Sequence, residues 1–195
     1  MNKLMGFFEL QISNLPTIPW KEYKDDTVLD DFILWTIRTA VLKGDDLNLP
    51  RLVGENAEKS TVFARNMLDK LHGNGMVIYY PYFIAKKSGT LHVFNDLTVI
   101  EAVKDDLWNL VTYSDRDVTI RISNNQIIYD GNKDFLTEPE FNELLKQVPK
   151  IKSIFRSYLI EGKSVLLEWS YALNCNLNKE PTGEQYLVFY EARTV

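Results

Sequence analysis

Apolar and polar positions alternate between two periods along this chain, which points to a mixture of helices and strands. Pro16 and Pro19 bracket Thr17-Ile18, so residues 1–25 are expected to form an irregular or extended arm. From Thr27, apolar residues recur at three- and four-residue steps (Leu29, Phe32, Ile33, Thr36, Ile37 and Ala40), the spacing of a helix that Gly44 would stop. A second helical pattern runs from Glu58 to Leu71 and ends at His72-Gly73-Asn74-Gly75, residues suited to positive φ. Met76 to Ala85 is rich in β-branched and aromatic residues. With a turn at Ser88-Gly89 it predicts a strand followed by another over Thr90 to Phe94.

Leu97 to Thr112 fits a helix better than a strand, although Val99-Ile100 suits a sheet. Val118 to Ile122 and Gln126 to Tyr129 flank Asn124-Asn125 and predict a hairpin. Thr137 to Ile160 is the longest helical pattern, opened by a Thr137-x-x-Glu140 capping box with Pro139 in its first turn, and Pro149 should kink or break it. Lys163 to Tyr171 and Gln185 to Thr194 are the last predicted strands, joined by a polar loop with Pro181 and Gly183. The expected class is α+β, a mixed or antiparallel sheet with flanking helices.

Composition narrows the picture only modestly. The 195 residues are 45% hydrophobic and 25% charged, which is ordinary for a globular protein and rules out wholesale disorder. A net charge of -5, with basic residues scattered among acids, argues against a nucleic-acid binder that works by phosphate neutralisation. No apolar run reaches the roughly 20 residues of a membrane span, and Met1 to Leu10 lacks the features of a signal peptide. The single cysteine, Cys175, fits a reducing compartment, so a cytoplasmic location is expected.

Familiar catalytic patterns are missing. Cys175 has no histidine near it in sequence, His72 and His92 have no metal-ligand spacing, and neither usual glycine-rich phosphate cradle occurs. What stands out is charge inside apolar strands: Glu168 in Val165-Leu166-Leu167-Glu168-Trp169, and Glu191 with Arg193 in Tyr190-Glu191-Ala192-Arg193. A carboxylate in such a run is costly to bury unless paired or bound to a cation. Glu191 and Arg193 are two apart and share a strand face. Two carboxylates and an arginine would suit Mg²⁺ with a polyphosphate; an ion pair of Arg193 with Glu191 or Glu168 on a solvated face suits the same residues. Arg38, in an apolar stretch readable as helix or strand, fits a snorkelling side chain. Tyr79, Tyr80, Tyr82, Trp108 and Trp169 suit either a core or a pocket.

Four blocks resemble, in order, the N-terminal ATP-grasp nucleotide-binding domain of the phosphoenolpyruvate synthase and pyruvate phosphate dikinase family, which includes rifampicin phosphotransferases. They are Thr36-Ile37-Arg38-Thr39-Ala40 with Gly44-Asp45-Asp46-Leu47 and Gly54; Val77 to Gly89; Ile100-Glu101-Ala102-Val103 with Leu107 to Val111; and Leu167-Glu168-Trp169-Ser170 with Glu191-Ala192-Arg193-Thr194. The resemblance covers residues 34–195 as an ATP-grasp-like domain, leaving 1–33 as an arm and the start of the first helix. It implies a reduced module, its first lobe largely missing, that binds ATP with Mg. Arg38 would contact phosphates, Tyr80 to Phe83 would line the adenine pocket, Glu168 and Glu191 would hold Mg or ribose and phosphate groups, and Arg193 would be catalytic. Phosphoryl transfer would need a partner chain carrying a phosphohistidine or substrate domain. Two departures favour the alternative, a non-catalytic interaction or regulatory module. Only Lys21 and Lys24 are considered for the family's phosphate-binding lysine, and Glu191 stands where the family has glutamine.

Overall fold

The computed structural model describes residues 1–43, 49–107, 110, 116–124 and 126–195. Gly44 as a helix stop, the Gly44-Asp45-Asp46-Leu47 block, Trp108 and Asn125 lie outside them. The chain runs α1 (Lys3–Ile12), β1 (Lys21–Glu22), β2 (Trp35–Val41), β3 (Arg51–Glu55), α2 (Ala57–Leu71), β4 (Gly75–Pro81), β5 (Ile84–Val93), β6 (Leu97–Lys104), β7 (Val118–Ser123) and β8 (Gln126–Gly131). It continues through α3 (Glu138–Ile154), α4 (Arg156–Ile160), β9 (Val165–Cys175) and β10 (Pro181–Thr194). Among the described residues two sheets form, ordered β1-β4-β2-β3 and β10-β9-β5-β6-β7-β8. Every ladder is antiparallel. The α+β expectation therefore holds.

Three apolar layers hold the sheets and helices together. Tyr23, Ile37, Ala64, Met67 and Val77 seal α2 onto the four-stranded sheet. Leu91, Ile100, Ile120, Leu144, Ile151 and Trp169 seal α3 onto the six-stranded sheet. Between the sheets lies a third cluster with Leu4, Phe7, Ile78, Tyr80, Val103, Val188 and Tyr190.

Several expectations are corrected. The arm contains a helix: Asn2 caps α1 by accepting from the Met5 amide at 3.0 Å, and Leu4, Phe7 and Leu10 bury one face. The predicted helix from Thr27 to Ala40 is instead irregular chain followed by β2. This strand is covered by α2 on one face and by the other sheet on the opposite one, so six of its seven residues are buried. A strand buried on both sides reads as a continuous apolar run, and its spacing matched a helix by coincidence.

Ser88-Gly89 is not a turn; β5 runs straight through it. A Cβ on Gly89 would lie 1.9 Å from the Glu101 carbonyl oxygen and 2.5 Å from the Trp169 ring, so glycine here serves close packing. Leu97 to Lys104 is strand β6 rather than helix, as Val99-Ile100 allowed. The α3 capping box forms as expected, but the helix continues through Pro149 and is interrupted only at Phe155. Pro181 and Gly183 lie within β10, not in a loop. The α2 helix, the β7–β8 hairpin and the β9–β10 pairing match their predictions. Among the described residues no helix is long and apolar enough to cross a membrane.

Candidate functional site

Strand alternation places Thr36 and Arg38 of β2 on the face opposite Ile37, toward the six-stranded sheet. On β9, Glu168 and Ser170 face back toward them, while Leu167 and Trp169 enter the α3 core. β10 needs a device to join this face. Its register to β9 shifts between Phe189, opposite Trp169, and Glu191, opposite Glu168, so Tyr190 is an extra residue. The bulge lets both Tyr190 and Glu191 line the gap between the sheets, with Phe189 and Ala192 in the α3 core. Strict alternation from Phe189 would have sent Glu191 into that core.

The gap is a cavity of about 780 Å³. All six sequence-selected residues line it: Arg38, Tyr80, Phe83, Glu168, Glu191 and Arg193. They come from β2, β4, the β4–β5 connection, β9 and β10. Phe83 stacks near-parallel on Tyr80 at 6.5 Å and tilts against Tyr190 at 6.1 Å. Tyr82 also lines the cavity, whereas Tyr79 packs against Tyr23 and Trp35 on the α2 side and Trp169 is buried in the α3 core.

The expected partner of Arg193 is corrected. Glu191 pairs instead with Arg38, whose Nη2 donates to Oε2 at 2.6 Å, and with Lys3, whose Nζ lies 3.3 Å from Oε1. The Glu191 side chain is 1% exposed. Arg38 also lies over the Phe7 ring at 5.5 Å. Burial alone would weaken the Arg38 charge, but Tyr80, Glu191 and Glu168 outweigh it and hold the guanidinium above its ordinary value. Among the described residues no ion pair of Arg193 is present, and Arg193 lines the same cavity.

Lys3 and Phe7 were missed because they belong to the segment read as an arm. The Asn2 cap and the Leu4-Phe7-Leu10 spacing were the available signals. Tyr190 was missed because nothing in the sequence announces the bulge. His92 is structural: its Nε2 lies 2.7 Å from Ser164 Oγ, and its ring packs on Phe94 at 4.2 Å.

Glu168 and Glu191 stand directly opposite one another, as a shared metal site requires. Glu191 Oε2 is taken by Arg38 and Lys3 lies 3.3 Å from Oε1, yet among the described residues Oε1 is buried and accepts no hydrogen bond, and no three histidine, cysteine or acidic side chains gather as a metal site. Mg²⁺ is usually held by one or two carboxylates together with waters and phosphate oxygens, so Glu168 and the unpartnered Oε1 of Glu191 are the oxygens here that would hold it.

No family model matches the chain, and no curated protein matches it. Among solved structures, an N5-carboxyaminoimidazole synthetase from Staphylococcus aureus is similar at 12% identity and a TM-score of 0.46 over 98% of this chain and 43% of that one. An L-amino acid ligase from Bacillus licheniformis is similar at 14% identity and a TM-score of 0.43 over 98% of this chain and 42% of that one. The chain thus spans less than half the length of either protein. Likeness at this level carries no argument about ligand or reaction, which rest on the chain's own residues.

Proposed function

We propose that this chain is a nucleotide-binding module of ATP-grasp type, with the ligand held between its two sheets. The observation that carries the reading is the convergence of six residues, spread from Arg38 to Arg193, on one cavity of about 780 Å³. That volume lies within the usual range for small-molecule sites. Phe83, Tyr80 and Tyr190 offer flat apolar surface for a ring. Arg193 offers a planar fork for a phosphate, and Arg38 is held nearby by Glu191 and Phe7.

Binding without turnover is the better supported form of this reading, since Glu191 stands where the resemblance expects glutamine and its Oε2 is taken by Arg38. Phosphoryl transfer with a partner chain carrying a phosphohistidine rests on the motif resemblance alone.

The test is a thermal melt of the whole chain with adenosine nucleotides, with and without Mg²⁺. A ligand at 100 times its Kd adds about 2.7 kcal/mol, which corresponds to a Tm rise of about 5–10 °C for a chain of this size. We expect such a rise, and expect Phe83→Ala to remove most of it. An unchanged Tm at millimolar nucleotide in both buffers would refute the reading.

A further inference from the structure

Four strands form the edges of the two sheets, and among the described residues three of them are blunted. β1 is two residues long. β3 begins at the exposed Arg51 and breaks register against β2 between Trp35 and Thr36. The C-terminal half of β10 is covered by the chain's own N-terminal segment. There the Ile18 amide donates to the Phe189 carbonyl, the Phe189 amide to Pro16 and the Thr194 amide to Met1. The other half of β10 starts at Pro181 and breaks register between Thr182 and Tyr186. Short length, charge, proline and irregular register are the usual protections of a sheet edge.

β8 has none of these along its middle. Gln126–Gly131 pairs with β7 residue by residue without a break, and Ile127, Ile128 and Tyr129 are 45%, 57% and 41% exposed. Just beyond the ladder the Asn132 amide donates to the Asp117 carbonyl, so the even-numbered residues bond to β7. The N–H and C=O groups of Ile127 and Tyr129 therefore point away from it. Their side chains share a face with Ile120 and Ile122 on the α3 side, where Tyr129 packs against Phe141 at 6.4 Å.

We infer that β8 is the docking edge for a second copy of this chain, paired antiparallel about a two-fold axis at Ile128. The strand is self-complementary in that register. Ile127 of each copy faces Tyr129 of the other, which satisfies their outward backbone groups and sets an aliphatic against an aromatic side chain. Asp130, the one charged residue of β8, faces the neutral Gln126, so no like charges meet. Because β10 is covered or blunted, β8 has no far edge of another copy to add to. The contact closes as a dimer and does not grow into a fibre. A pairing this short buries less than the roughly 1,200 Å² of a standard interface, so the dimer forms reversibly, at about 10–100 µM.

Sedimentation equilibrium of the full chain from about 1 to 300 µM tests this. A monomer–dimer equilibrium is expected; a monomer throughout, or larger assemblies, overturns it. Ile128→Lys sets like charges across the axis and should raise the dissociation constant about tenfold. A dimer that this variant leaves unchanged forms elsewhere and refutes the proposal. Mixing Ile128→Lys with Ile128→Glu in equal amounts should restore association, because the introduced charges then face each other. A mixture no tighter than Ile128→Lys alone overturns the pairing at Ile128. Should a variant fail to fold, amide exchange of the parent decides. β8 exchanges fast while the chain is a dilute monomer, and Ile127 and Tyr129 should gain protection severalfold at the highest concentration. Exchange there that does not change with concentration overturns the inference.

Discussion

Glu168 shows how a single residue couples the cavity to stability. Burial and the charge of Glu191 push its carboxyl up to about 7, against the pull of Arg38, Lys3 and Arg193. The unfolded chain releases this proton near pH 4.3. Between about 4.3 and 7 the native state therefore holds the extra proton, and stability must fall as pH rises through that window. In Glu168→Gln no such proton is lost. Its Tm should lie close to that of the parent at pH 4 and above it at pH 8, measured by scanning calorimetry; parallel pH profiles for the two proteins would exclude the idea. Residue type did make Glu168, Glu191 and Arg193 legible as unusual, because charge inside a β-rich run demands a partner. The partners were not legible. Glu191 is paired with Arg38, 153 positions away, and with a lysine on a helix that the sequence reading did not expect.

At the scale of elements, α1 decides whether the cavity is complete. It reaches the cavity with Lys3 and Phe7, and it can do so because Gly6 lies against β10: a Cβ there would sit 1.8 Å from the Ala192 carbonyl oxygen. Gly6→Ala gains about 1 kcal/mol of helix propensity but drives a methyl into backbone that cannot rotate away, at a cost of about 3 kcal/mol. The expected net loss of about 2 kcal/mol lowers Tm by about 4–8 °C. Ligand affinity should drop with it as Lys3 and Phe7 withdraw. A variant as stable as the parent would show that α1 is not wedged. Elements with strong local signals were readable in advance: α2 with its left-handed His72, the α3 capping box, and the β7–β8 hairpin with Asn124 at positive φ. Of those that misled, β2 is buried on both faces, so its apolar spacing reports burial rather than period, whereas β6 keeps a two-residue alternation of burial that the longer helical reading of Leu97 to Thr112 overrode.

For the whole molecule, the two-sheet arrangement predicts a gradient of local stability. β5 and β9 are interior strands of the six-stranded sheet, with the α3 core on one face and the cavity layer on the other. β8 is an edge strand with every residue exposed. Amide hydrogen exchange should be slowest in β5 and β9 and fastest in β8; comparable protection in β8 would mean that its edge is covered in solution. Hydrophobic content, capping residues and turn residues are local, so the sequence by itself determined the α+β class, the α2 and α3 helices, the β7–β8 hairpin and the set of charged strand residues to watch. Which of those charges meet was decided only by tertiary structure, because it depends on strand order, on a one-residue bulge at Tyr190 and on a glycine that lets α1 come close. Each of these is set by contacts between segments far apart in the chain, which no local pattern records.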